Sequence, residues 1–523
     1  MHSGGVGVNR ANGQRFLLKA AAVIAVALAM LWPAFVNGEP FYMPDTPSYI
    51  RGADGAIHEL TGVSTVWSDE LQKRFSAKVE PKADVRPAAP AQAVARKVPA
   101  EPNVVLKGRS IYYGALLYAA QWLGHFWAMG LFQALLCTVA IALTIQQVGR
   151  AMGRETTPAT LLAAGLAMAA LTPAGYFASY LLPDVFGALG LLAFGNLLFF
   201  WNCSRPVVRL FWFALLTAAV LFHASNILLI ASLSVIVALG LFVKLPASKT
   251  GFAAVGVALL IALLGQLAFA WGVKHATGAS PIRPPFLAAR IIDDGPGYEY
   301  LKEHCPEARL IYCRVLGFRT RDSATLLWSA DPKEGVFQAL PPAEQRLATA
   351  QQNGFVANVI KERPLEVLGS STMAFLKQLT FFQLESFNYT RANNSYFRDK
   401  LPEPFLDHAK QSKAYHRSMP VRFVEWATIL SVIAAVAAVA LAVRGSLRRE
   451  KKLTAVTSFL LLLTSGVLVN AAICGALSTP RGRYQMRLIW VLPLAALATC
   501  RARIGADRSG TLVETRAGAA AAG

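Results

Sequence analysis

The chain has 523 residues, of which 54% are hydrophobic and only 15% charged, with a formal net charge of +21. Soluble domains carry about 25% charged residues. Here the deficit is concentrated in long apolar runs, which excludes a soluble globular enzyme and leads to the expectation of an all-α polytopic membrane protein of about ten spans. The surplus of Lys and Arg lies mostly in short loops beside those runs, where the positive-inside rule accounts for it better than nucleic-acid binding does.

The basic start, Met1 to Arg15, is expected in the cytoplasm, with the first span at Phe16–Val36 closing the region 1–36. That run is too long for the apolar core of a signal peptide, and no small-x-small cleavage site follows it. Region 37–125 is expected outside. It opens on Pro40-Phe41-Tyr42-Met43-Pro44-Asp45-Thr46-Pro47-Ser48-Tyr49-Ile50-Arg51 and passes through an Ala/Pro/Lys-rich insert, Pro81–Pro102, with little to bury. It ends in an aromatic stretch, Ile111–Leu123, that reads as an interfacial helix.

Region 126–273 carries spans two to seven: Phe126–Val148, Pro158–Phe177, Val185–Trp201, Leu210–Phe222, Ile227–Val243 and Phe252–Val273. Arg150, Arg154, Arg205, Arg209, Lys244 and Lys249 mark the cytoplasmic turns between them. Region 274–421 is long enough for a small soluble domain, α or α+β, on the outer side. Spans eight to ten, Val424–Val443, Leu453–Ile473 and Leu488–Thr499, fill region 422–500, and a basic cytoplasmic tail occupies 501–523. Both termini are then cytoplasmic. One basic cluster, Arg481 and Arg483 in the turn Gly475–Met486 and Arg487 just after it, falls on the outer side against the rule.

Candidate chemistry gathers on that side. Asp45, braced by Pro44 and Pro47, can serve as a base toward a substrate arriving from outside, or as a helix cap, because Asp-x-Pro commonly opens a helix. Asp184 follows a proline at the head of span four, as a second acid or as a helix cap that complements the helix dipole. Arg481 and Arg483 with Tyr484 can grip a lipid phosphate or snorkel to headgroups. Tyr49 borders Asp45, and His223 with Asn226 breaks the chain between spans five and six; both can line a cavity or serve structure alone. Of the six cysteines, Cys137, Cys203, Cys474 and Cys500 read as small apolar residues in or beside spans. Cys305 and Cys313 are close enough in sequence for a disulfide that spacing alone cannot establish. The sequence has no GxxxxGK[ST] loop, no Rossmann glycine fingerprint after a strand, no HExxH and no GxSxG. This argues against ATP-driven transport, a soluble-type nucleotide-sugar enzyme and the common membrane hydrolases.

Four features occur in order on one expected side: Asp45 in Met43-Pro44-Asp45-Thr46-Pro47-Ser48-Tyr49, the aromatic Tyr112-Tyr113-Gly114-Ala115-Leu116-Leu117, Pro183-Asp184, and Arg483-Tyr484-Gln485-Met486 before the last span. In this the chain resembles the GT-C superfamily of polyprenyl-phosphate-sugar glycosyltransferases, in particular the bacterial inner-membrane branch related to aminoarabinose and mannosyl transferases. The resemblance covers Phe16–Val273 and Val421–Thr499 but neither the insert nor the large loop. It implies a GT-C-like fold and an inverting transfer, from a polyprenyl-phosphate sugar to an envelope glycan, lipid or protein, on the periplasmic face of the inner membrane. Asp45 would be the base, Arg481 and Arg483 would hold the leaving phosphate, and Asp184 would orient the acceptor or a divalent metal such as Mg or Mn. Many members carry two adjacent acids in the first loop; here Thr46 follows Asp45, which leaves metal use open. The rival readings are a transporter or flippase of a lipid-linked polar substrate and a non-catalytic envelope assembly protein. Against the former, no inverted repeat is legible, and the acids lie at the outer face rather than mid-bilayer.

Overall fold

The computed structural model describes residues 4–63, 65–67, 105–242, 244–450 and 452–499. The Ala/Pro-rich insert, Cys500 and the basic tail lie outside the described residues, as do the expectations attached to them. Among the described residues the chain is helical, with no strand and two isolated bridges, Phe41 with Tyr180 and Leu106 with Ile282.

Among the described residues, six helices are long and apolar enough to cross a membrane: Phe16–Asn37, Trp127–Ala151, Ala224–Phe242, Lys249–Thr277, Val421–Glu450 and Ala455–Ala476. The first is built from α1 (Gly4–Met30) and α2 (Trp32–Asn37), joined at a break beside Pro33. It stops at Gly38, whose φ of 93° is a backbone conformation that suits glycine at a helix end. Beyond it lie α3 (Thr46–Thr61), α4 (Ile111–Gln121) and α5 (Trp127–Ala151).

Three shorter apolar helices follow, α6 (Pro158–Leu171), α7 (Val185–Phe199) and α8 (Pro206–Phe222). Two of them end before the expected span does. The segment expected at Pro158–Phe177 leaves the helix at Thr172, an extended residue ahead of Pro173, and resumes only as the short turn Ala174–Ala178. The segment expected at Val185–Trp201 stops at Phe199. At 1.5 Å per residue α7 is about 22 Å long, short of a hydrocarbon core of roughly 30 Å. Its surroundings explain how it can be short. All 15 of its residues are buried, so it is sheathed by protein on every side. Its glycines admit the neighbours: a Cβ at Gly190 would lie 2.8 Å from Cβ of Ala219, and one at Gly195 would lie 2.6 Å from the Phe459 ring.

Next come α9 (Ala224–Phe242), separated from α8 by extended His223, and α10 (Lys249–Thr277). The long loop contains α11 (Pro342–Glu362) and α12 (Pro364–Leu379), and is followed by α13 (Val421–Glu450) and α14 (Ala455–Ala476). The last segment departs from expectation. Helix α15 (Gly482–Ile489) begins six residues before Leu488, breaks at Trp490 and resumes over 491–499. The basic cluster therefore sits largely on a helix rather than in a turn.

The regular elements of the loop are all helices, joined by coil and the isolated Leu106–Ile282 bridge, so the α alternative holds there. It is shared between two cores. Residues from Ala288 to Val359 form a separate cluster around Tyr312, Phe337 and Phe355, which Leu106 and the Cys305–Cys313 disulfide adjoin. Residues from Leu384 onward, including Phe387, Tyr389, Phe397 and Phe405, belong to the main core instead. Phe387 inserts among Phe41, Tyr176, Phe177 and Tyr180, with ring centroids 4.8–5.5 Å apart. Helix α4 packs closely on α3, with Gly114 directly beneath the Tyr49 carbonyl, so the expected interfacial helix is a buried strut of the bundle on one side.

Candidate functional site

One end of the bundle gathers the first loop, the head of α7, the α8–α9 break, the end of α14 and α15. The Phe41–Tyr180 bridge and Thr46 Oγ1, which donates to the Leu181 carbonyl at 3.1 Å, fasten the first loop to the approach to α7.

Asp45 and Asp184 both precede helices, and neither uses its side chain as a cap. The capping explanation, open for both from sequence, therefore does not account for either carboxylate. Asp45 Oδ1 accepts from Arg109 Nη2. The Asp45 side chain remains 32% exposed, while the Arg109 guanidinium also lies 5.3 Å from the Trp328 ring of the second core. Burial pushes the Asp45 carboxyl up, but Arg109 and Arg483 outweigh it and hold the group below the usual carboxylate range. Asp184 Oδ1 accepts from Arg487 Nη1 at 3.0 Å, with the two side chains only 3% and 2% exposed. Arg487 Nη2 also donates to Ser225 Oγ at 3.2 Å and Asn470 Oδ1 at 3.3 Å.

The helical form of α15 explains which arginines enter. Arg483 and Arg487 are four residues apart and share a face. Arg481 precedes the helix with φ −138°, its side chain exposed; its backbone N–H donates to Gln378 Oε1 at 2.9 Å and its carbonyl accepts from Gln378 Nε2 at 3.0 Å. Of the two arginines expected to hold a phosphate, the structure brings in Arg483 and leaves Arg481 outside. Tyr484 lies between the inner pair, its ring 5.0 Å from the Arg483 guanidinium and 5.4 Å from that of Arg487. Arg483 Nη2 donates to the Tyr484 hydroxyl at 3.5 Å, and its Nη1 is buried with no hydrogen-bond partner. Arg483 stands within electrostatic reach of Asp45, Asp184 and Tyr180, yet among the described residues no carboxylate forms an ion pair with it.

His223 reaches the same place, bonded through Nδ1 to Ser225 Oγ at 2.7 Å and facing Arg487, Asp184, Arg483 and Asp45. Tyr49 does not open onto the site. It is 4% exposed and meets Tyr113 edge-on at 5.4 Å, and burial, then Asp45, push its hydroxyl well above the ordinary phenol value. It is a packing residue under Asp45.

A divalent metal held by Asp45 and Asp184 does not fit this arrangement. Each carboxylate is already bonded to a guanidinium, and among the described residues no three His, Cys, Asp or Glu side chains converge. The ion pairs Asp45–Arg109 and Asp184–Arg487 use two of the guanidinium groups at this end; Arg483 is in no ion pair among the described residues, and Glu385 acts on it through space only. Arg109, Asn470 and Tyr180 were not legible as parts of the site. Arg109 was one of several cations in the expected outer region, Arg51 and Lys107 among them, and nothing but its place just before the Ser110 that opens α4 set it apart. Compared with family models, curated proteins and solved structures, the chain finds no match.

Proposed function

We propose that this chain is an integral membrane glycosyltransferase. It moves a sugar from a polyprenyl-phosphate donor to a hydroxyl of an envelope glycan, lipid or protein, at the periplasmic face of the bacterial inner membrane. The observation that carries this reading is the Arg483 guanidinium, which has a buried, unpartnered Nη1 and no paired carboxylate, beside the ionised, partly exposed Asp45. An unpaired charge within a protein is costly, and an anion bound there relieves the cost. A phosphate ester whose sugar lies toward Asp45 satisfies both groups. In this reading the three short apolar helices and the broken last segment complete a ten-span bundle of GT-C type, with both termini cytoplasmic.

The chemistry is a single displacement. The Asp45 carboxylate takes the proton of the acceptor hydroxyl as its oxygen bonds to the anomeric carbon. The bond from that carbon to the phosphate oxygen breaks on the opposite face, which inverts the centre. Charge developing on the departing phosphate is met by Arg483, a positioned cation that needs no reorganisation. Asp184 serves by holding Arg487 and hence α15 in place.

Asp45 acts as a base only when ionised, so the rate falls as pH drops through its pKa. Arg109 and Arg483 depress that value, which puts the acid limb of the rate below the ordinary carboxylate range. Arg109→Gln removes one of the two cations, raises the pKa and moves the acid limb to higher pH. A pH–rate profile in which R109Q and the parent share one acid limb would count against Asp45 as the titrating base.

The function is tested with the purified full-length chain in detergent, supplied with a polyprenyl-phosphate-linked sugar and envelope acceptors. Sugar transfer with release of polyprenyl phosphate is the expected result. Detergent micelles have no two sides, so a flippase produces nothing measurable there. Intact donor, together with donor translocation in vesicles, would replace this reading with the transport one.

A further inference from the structure

The opposite end of the bundle carries a feature that glycosyl transfer does not use. Helix α13 stands apart from α14, and a cavity of about 610 Å³ opens between them and the final helical segment. That volume is in the range of small-ligand sites. One wall is a row on α13 at four-residue spacing, Val436, Ala440, Arg444 and Arg448, which a helix places on one face. Leu461 and Thr464 of α14 face it, over Leu492. The groove is apolar along its length and cationic at its mouth. From Val436 to Arg448 it extends about 18 Å at 1.5 Å per residue. Both arginines are exposed, and among the described residues no carboxylate forms an ion pair with either.

We propose that this groove binds one anionic glycerophospholipid of the surrounding bilayer, with an acyl chain along the α13–α14 wall and the headgroup phosphate on Arg444 and Arg448. The order of the residues argues for this occupant. A second transmembrane helix would cover the apolar wall but leave two guanidinium groups uncompensated. A zwitterionic lipid would fill the wall yet offset the cations less. Guanidinium forks match phosphate oxygens, and basic residues at a membrane surface attract anionic lipid. The site lies at the far end from Asp45 and does not depend on the catalytic reading.

The test is native mass spectrometry of the full-length chain in non-ionic detergent, titrated with dioleoyl-phosphatidylglycerol or dioleoyl-phosphatidylcholine. The parent should bind one equivalent of the anionic lipid in preference to the zwitterionic one. Arg444→Gln with Arg448→Gln should weaken phosphatidylglycerol binding roughly 30-fold, the equivalent of about 2 kcal/mol, and leave phosphatidylcholine unchanged. Ala440→Phe, which keeps both arginines and fills the groove, should also lose the anionic lipid. Equal binding of the two lipids by the parent would overturn the proposal, as would undiminished phosphatidylglycerol binding by the double variant. Should the double variant fail to fold, Ala440→Phe decides alone, and unchanged binding there overturns it.

Discussion

Replacing Arg487 by methionine is expected to remove most of the folded protein, with a stability loss of roughly 3–5 kcal/mol, because it strands the Asp184 carboxylate in the bundle without a counter-charge. Asp184 is 3% exposed, and its bonded partner is the Arg487 guanidinium. The same substitution also strips a donor from Ser225 and Asn470, which tie the α8–α9 break and the end of α14 to α15. Asp184→Asn alone should be damaging as well, since it leaves the arginine buried and charged. The combination of Asp184→Asn with Arg487→Met should be milder than the sum, because no uncompensated charge remains. The thermal midpoint of detergent-solubilised protein reads all four corners of this cycle. If the double variant is as unstable as the added singles, the pair is not the structural lock described here, and Asp184 returns as a candidate for direct chemistry.

Arg483→Gln should behave in the opposite way. Arg483 has no carboxylate bonded to it, so the folded fraction should change little while transfer falls about 10²–10³-fold, the usual loss when one positioned donor to a developing anion is removed. Arg483→Lys should fall between parent and glutamine, because lysine keeps the charge and loses the planar fork that matches a phosphate. Arg481→Gln, at a side chain exposed outside α15, should leave the rate near the parent's. The contrast between positions 481 and 483 is a sharp check, since sequence alone offered the two as equals.

That contrast also shows what the sequence could and could not convey. Long apolar runs, Pro and Gly breaks and basic turns made the helical class and most helix positions legible, because each depends on local composition. Helix ends that depend on neighbours were harder. Helix α7 can stop at Phe199 because other helices sheath it, and nothing within residues 185–201 reveals the sheath. At Pro44-Asp45-Thr46-Pro47 and Pro183-Asp184 the local pattern allowed a cap, and only the packed chain shows the carboxylates turned to Arg109 and Arg487 instead. Those partners are 64 and 303 residues away. Opposite charges at such separations carry no periodicity or spacing by which to match them. The division of the long loop between two cores is hidden for the same reason: Phe387 is one aromatic among many until Phe41 and Tyr180 are seen around it.

The most direct test of the central claim is the rate of sugar transfer by Asp45→Asn in the purified protein, with the thermal midpoint and polyprenyl-phosphate binding measured on the same sample. Asparagine keeps the shape and a carbonyl oxygen toward Arg109 but cannot take a proton. The account predicts transfer lowered on the order of 10²–10⁴-fold, the range for loss of a general base, with folding and lipid-phosphate binding retained. Transfer at the parent's rate by a folded D45N protein would contradict it.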